Sequence, residues 1–365
     1  MNRALLALLV SALSAQAASF TADSTRGERL FESLSCIQCH SVNGTGGTAA
    51  PDLSRIEDRG FTPASLAATM WNHAPVMWAS MRERQIRAGE LDQQAAQDLM
   101  AFFYAARFFD QPGDAGRGKH AFERDGCAGC HTLTVGPTAK PVSQWQGLTD
   151  PIALIDAMWN HRSQMLGATA SDIRFPPLNA QGLTDMLVYL RNLPETRSKT
   201  GMFHLEVSAT DQPAFQSAGC AKCHQTVEAL ADRVQGQTLT EIAVEMWNHA
   251  PRMAAAGAPA APLAPGEMQA LVSSFWAVKF FEASGRASAG SRVFVAKSCA
   301  ACHNNASSGA PQLPIKGREF SAATMVSVLW KHGPAMQDQM KTKGIAWPRF
   351  EGSQMADLIA YLNHP

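Results

Sequence analysis

Cys36-Ile-Gln-Cys39-His40, Cys127-Ala-Gly-Cys130-His131, Cys220-Ala-Lys-Cys223-His224 and Cys299-Ala-Ala-Cys302-His303 are four copies of one pattern. Together they use all eight cysteines of the 365-residue chain. Their first cysteines lie 91, 93 and 79 residues apart, a period that signals internal repetition. Other residues keep step with them. A phenylalanine stands five residues before each first cysteine (Phe31, Phe122, Phe215, Phe294), and a glycine nine before it in three copies (Gly27, Gly118, Gly290). Copy three has Asp211 there and is the most divergent. A second signature follows each motif: Met70-Trp71-Asn72-His73, Met158-Trp159-Asn160-His161, Met246-Trp247-Asn248-His249 and Leu329-Trp330-Lys331-His332. Four residues past those histidines stand Met77, Met165, Met253 and Met336. Each copy closes on an apolar run such as Leu187-Val188-Tyr189-Leu190 or Leu358-Ile359-Ala360-Tyr361-Leu362.

The chemistry follows from the spacing. On a helical turn, residues i, i+3 and i+4 project to one side. Two thiols so placed can form thioethers with the two vinyl groups of one haem, and the next histidine then reaches its iron. This is the attachment signature of haem c. A lone Cys-x-x-Cys would suit a redox disulfide or half a zinc site equally well. A zinc site needs four ligands, and no second cysteine pair stands near any copy. A disulfide leaves the repeated histidine unexplained. The expectation is four haem groups, held by Cys36, Cys39, Cys127, Cys130, Cys220, Cys223, Cys299 and Cys302, with His40, His131, His224 and His303 as proximal iron ligands.

Composition bounds the rest. Lys plus Arg and Asp plus Glu are 31 each, only 17% of residues are charged, and 46% are hydrophobic. That excludes a disordered charged chain, and it leaves no net field for nucleic acid or an anionic membrane. Arg3, the apolar run Ala4 to Ala12 and Ala15-Gln16-Ala17 read as a signal peptide over residues 1–18, with an uncleaved anchor as the rival. No later stretch is apolar enough to span a bilayer, so a periplasmic location is expected. Linkers at Asp110 to Asp114, Pro194 to Pro213 and Ser284 to Ala289 divide the remainder into units 22–110, 113–199, 208–283 and 287–365. Thr62-Pro63 and Ser321 read as helix starts. With no useful strand pattern, the expected class is all-α: four tandem units, each with a helix into the motif, a middle helix and a final helix.

Each unit resembles a small class I cytochrome c domain. The glycine and phenylalanine before the motif and the closing apolar run resemble that family's crossed terminal helices. Pro51-Asp52-Leu53 and Pro311-Gln312-Leu313 resemble its Gly-Pro-x-Leu loop, whose proline carbonyl orients the proximal histidine. Copy two offers a looser match at Gly136-Pro137, and copy three has none. The family places its second iron ligand, a methionine, just before the last helix. Here Trp347-Pro348-Arg349-Phe350 and Phe175-Pro176-Pro177-Leu178 occupy that stretch, and no copy has methionine there. Two ligand types recur in all four copies instead. The histidines His73, His161, His249 and His332 are favoured as distal ligands, because they follow the proximal ones by 33, 30, 25 and 29 residues, where the family's middle helix crosses the distal haem face. Met77, Met165, Met253 and Met336 are the alternative. Pro75, Pro251 and Pro334 are expected to bend or restart that helix. The tryptophans Trp71, Trp159, Trp247 and Trp330 are expected to pack on the haem edge, and His120, His204 and His364 to lie on the surface.

The expected function is single-electron transfer between redox partner proteins through four covalent haem irons; a subunit docked on a membrane respiratory complex is a third possibility. The alternative is a haem-dependent oxidoreductase, or its electron-transfer subunit, acting on a small inorganic substrate, with copy three as its site.

Overall fold

A computed structural model describes residues 21–54, 61–87, 89–107, 113–134, 139–168, 177–197, 203–208, 213–257, 262–281, 285–315 and 317–364. The expected leader lies outside them, as do Asp211, Gly136-Pro137 and Phe175-Pro176.

Copy one begins with β1 (Thr21–Asp23) and α1 (Ser24–Ser33), continues through a short ribbon of β2 (Ser41–Val42) and β3 (Thr45–Gly46), and ends with α2 (Pro63–Glu83) and α3 (Gln93–Ala106). Copy two has α4 (Ala115–Arg124), α5 (Pro151–Ala168) and α6 (Ala180–Asn192). Copy three runs from β4 (Glu206–Ser208) through α7 (Pro213–Ser217), α8 (Val227–Arg233), α9 (Leu239–Ala255) and α10 (Glu267–Phe280). Copy four has α11 (Ala287–Ala296), α12 (Ala300–His303), α13 (Ala322–Thr342) and α14 (Gln354–Asn363). The chain is mostly helical. Its strands, among the described residues, form two antiparallel pairs, β1 with β4 and β2 with β3.

Local chemistry explains the helix limits. Thr62 accepts the Ser65 N–H while Ser65 reaches back to the Thr62 N–H, and Pro63 fills the first helical position, where its missing donor costs nothing. Ser321 accepts the Thr324 N–H to start α13. Of the two expectations for the prolines, bend or restart, the restart is not seen. Pro75, Pro251 and Pro334 lie inside continuous α2, α9 and α13.

First and last helices cross in copies one, two and four, with α1 on α3, α4 on α6 and α11 on α14. The recurring glycines allow it. A Cβ on Gly27, Gly118 or Gly290 would run into the backbone carbonyl of Asp98, Asp185 or Asp357 on the last helix. Those aspartates are themselves buried. Each accepts the N–H of a residue at the entry to the first helix: Asp98 from Asp23 (2.8 Å), Asp185 from Asp114 (2.7 Å) and Asp357 from Arg286 (2.8 Å). Arg26 and Arg117 add charge-assisted hydrogen bonds to Asp98 and Asp185. In copy three α7 is only five residues long, and α8 supplies the larger contact with α10.

The core divides in an order the sequence does not follow. One apolar cluster joins copies one and four, including Phe31, Trp71, Trp78, Phe294, Leu329 and Phe350. The other joins copies two and three, including Phe122, Trp159, Phe215 and Trp247, and takes in Tyr104 from copy one. Correspondingly, α2 packs on α13 and α5 on α9.

Candidate iron-binding sites

In every copy the motif closes one helical turn. The histidine N–H donates to the carbonyl of the first cysteine at 2.9 Å, for His40 with Cys36, His131 with Cys127, His224 with Cys220 and His303 with Cys299. The turn is entered through a residue in the left-handed region: Ser35 (φ 65°), Gly126 (φ 83°), Gly219 (φ 78°) and Ser298 (φ 62°). Both thiols and the imidazole are thereby carried on one turn. Burial pushes the Cys36, Cys127 and Cys299 thiols up to about 11.

The proximal imidazoles are oriented through Nδ1. His40 donates to the Pro51 carbonyl (2.9 Å) and His303 to that of Pro311 (2.8 Å), the two prolines named from the sequence. Such a bond fixes the tautomer and leaves Nε2 for a metal. In copy two the acceptor is the Lys140 carbonyl (3.1 Å), which also receives Trp145 Nε1–H (3.0 Å). Sequence matching to Gly-Pro pointed upstream of it, because the residue supplying the carbonyl is here a lysine followed by Pro141. In copy three His224 meets no such acceptor among the described residues. Its chain passes directly from Thr226 into α8, with no intervening loop to supply one.

Opposite each of three proximal histidines stands the favoured distal one. Ring centroids lie 6.2 Å apart for His40 and His73, 6.1 Å for His131 and His161, and 6.1 Å for His224 and His249. Two metal–imidazole bonds of about 2 Å each, plus the half-width of each ring, span about 6 Å. Burial, followed by the facing imidazole, lowers the pKa of His73 and His224; burial also lowers that of His131, where the Lys140 carbonyl acts in the opposite sense. All three are held toward the neutral, ligating form. His303 and His332 make no ring contact of this kind, and His332 is exposed. Met77 and Met336 are half-buried against one core cluster, Met165 and Met253 against the other.

These arrangements fit haem c. Each pair offers two imidazoles, as suits a metal whose other four donors come with its macrocycle, and the cysteine pair stands one turn from the proximal one. Trp71 Nε1, two residues from His73, is buried with no protein partner, a donor left for a bound group. Trp71 also faces copy four. It stacks on Trp347 (5.5 Å, 20°) and meets Phe350 edge-on, and Trp347 Nε1 donates to the Trp71 carbonyl. Thus the residue standing where methionine was expected serves packing between copies. His120, His204 and His364 are exposed, as expected.

Residues 24–104 and 287–364 match the family model described as Cytochrome c. These segments are copies one and four, the two whose proximal histidine meets a proline carbonyl. The match supports a c-type cytochrome with covalently bound haem c and haem-based electron transfer. No curated protein and no solved structure matches the chain. Among the described residues, no helix is long and apolar enough to cross a membrane.

Proposed function

We propose that the protein is an exported tetrahaem cytochrome that passes single electrons between redox partner proteins. The observation that carries this is the facing of two imidazoles at three of the four motifs, 6.1–6.2 Å between ring centres. Bound haem c supplies an iron that takes up and gives back one electron. The chain's part is to hold it by the cysteine pairs, to orient His40, His131 and His303 through backbone carbonyls, and to close the other face with His73, His161 and His249. In copy four, ligation by His332 rests on its shared register on α13, with Met336 as the alternative. Two axial protein ligands leave no position for a substrate, which favours a carrier over an enzyme. Periplasmic export rests on residues 1–18, and the four-unit division 22–110, 113–199, 208–283 and 287–365 on the fourfold motif.

The second reading, an oxidoreductase acting on a small inorganic substrate, has two observations on its side. Among the described residues His224 meets no carbonyl like those that steady its counterparts, and Cys223 beside it is exposed. Carbon monoxide binding to the reduced holoprotein separates the two readings. The carrier reading expects slow, weak binding at every haem, and rapid saturation of one haem supports the enzyme.

A further inference from the structure

The asparagine preceding each distal histidine is used in a way the sequence does not announce. Asn72 Nδ2 donates to the Phe350 carbonyl (2.8 Å), and its Oδ1 accepts the Phe350 N–H (2.7 Å). Asn160 does the same with Leu263 (3.1 and 2.7 Å), and Asn248 with Leu178 (2.9 and 2.9 Å). Every one of these partners lies in the segment just before the last helix of a different copy: Phe350 before α14, Leu263 before α10, Leu178 before α6. Copy four has Lys331 at this position. There the neighbouring Trp330 Nε1 donates to the Gly89 carbonyl (2.8 Å), just before α3. The contacts therefore close on themselves. Copy one reaches copy four and copy four reaches copy one, while copies two and three reach each other. Gly333, next to His332, makes the same junction from the other side, since any Cβ there would strike the Trp78 ring of copy one.

We infer that the four metal sites work as two docked pairs, one with four and two with three, and that Asn72, Asn160 and Asn248 are positioning residues. A side-chain amide satisfying both the N–H and the C=O of one residue fixes that residue's place, as a strand partner would. Each such amide is adjacent to a distal histidine, so the histidine's helix is registered against the partner copy. This deepens the proposed carrier function and rests on its assignment of the distal histidines. It adds that the distal side of each site is set against the partner copy of its pair.

The test uses the holoprotein with Asn72→Ala and, separately, Asn248→Ala. Two quantities are read: amide hydrogen exchange at the partner segment, and the paramagnetically shifted haem methyl resonances assigned to each copy. Asn72→Ala is expected to speed exchange around Phe350 at least tenfold and to shift resonances of copies one and four alone. Asn248→Ala is expected to do so around Leu178 and to shift copies two and three alone. Resonance changes confined to the substituted copy, or spread over all four, overturn the pairing. If an alanine variant fails to accumulate as holoprotein, Asn72→Asp keeps the acceptor for the Phe350 N–H and loses the donor. It is expected to leave exchange of the retained Phe350 N–H bond nearly unchanged and to shift resonances of copies one and four alone, and shifts confined to copy one or spread over all four contradict the pairing. The exchange readout does not depend on which residue binds iron, so a wrong ligand assignment and a wrong pairing give different results.

Discussion

At the scale of single residues, the four candidate proximal histidines differ in what steadies them. A carbonyl accepting the Nδ1 proton makes an imidazole a more basic, more electron-donating ligand, which favours the oxidised metal. Among the described residues, His40, His131 and His303 have that acceptor and His224 does not. Copy three is therefore expected to show a higher reduction potential than copies one and two, whose facing histidines are otherwise alike. A spectropotentiometric titration with copy-resolved signals checks this, and a copy-three potential at or below that of copy one contradicts it. The sequence exposed part of this contrast. Pro51 and Pro311 were legible because a proline beside a leucine is a local signal, whereas Lys140 was not. Its contribution is a backbone carbonyl, which any residue carries.

Helix crossings come next in scale, and there the glycine and the buried aspartate act together. Gly118→Ala puts a methyl group against the Asp185 carbonyl and forces α4 away from α6, at a cost of about 1–3 kcal/mol. A lowered unfolding midpoint for copy two is the expected result. Asp185 itself is pulled upward by burial, but the Arg117 guanidinium and the Asp114 N–H outweigh this and hold its pKa below the usual carboxylate value. A carboxylate depressed in the folded state stabilises it fully above about pH 4, and that contribution is lost as pH falls through the depressed value. Asp185→Asn is accordingly expected to cost about 2 kcal/mol at pH 7. The difference between variant and parent should shrink on acidification toward pH 2 in denaturant titrations. A difference independent of pH would show that the charge is not what matters. The glycines and phenylalanines marking these helices could be found by their fixed offset from cysteine. The aspartates were missed because a polar residue in an apolar run gives no signal until its partners, 68 to 75 residues away, are known.

For the whole molecule, the copies associate in the order four, one, three, two rather than in sequence order. No pattern in the chain encodes this. Asn72 and Phe350 are 278 residues apart, and each looks like an ordinary polar or apolar position. The junction between the two pairs lies where β1 meets β4 and where Tyr104 packs on Trp276 at 4.3 Å, with Phe280 stacked on Trp276 at 4.0 Å. Tyr104 also accepts the Leu239 N–H. Trp276→Ala empties the centre of that junction, with an expected loss of about 3–5 kcal/mol. Limited proteolysis should then separate the pairs before either pair unfolds; simultaneous loss of all four copies would contradict that arrangement. What the fourfold motif made legible is the expected attachment, since both cysteines and the candidate proximal histidine fall within five consecutive residues. The choice of candidate distal ligand was not legible, because His73 and Met77 share one helix face and only the position of His40 across from His73 favours one of them. The most direct test of the account is the electron paramagnetic resonance and optical spectrum of the oxidised holoprotein, with its haem content counted by mass. Four covalent haems are expected, with at least three low-spin signals of the bis-imidazole type and no sulfur-to-iron absorption band from copies one to three. His73→Ala should convert the copy-one signal to a five-coordinate or sulfur-ligated form. A parent spectrum with sulfur ligation in copies one to three, or a copy-one signal untouched by His73→Ala, would contradict the ligation on which the account rests.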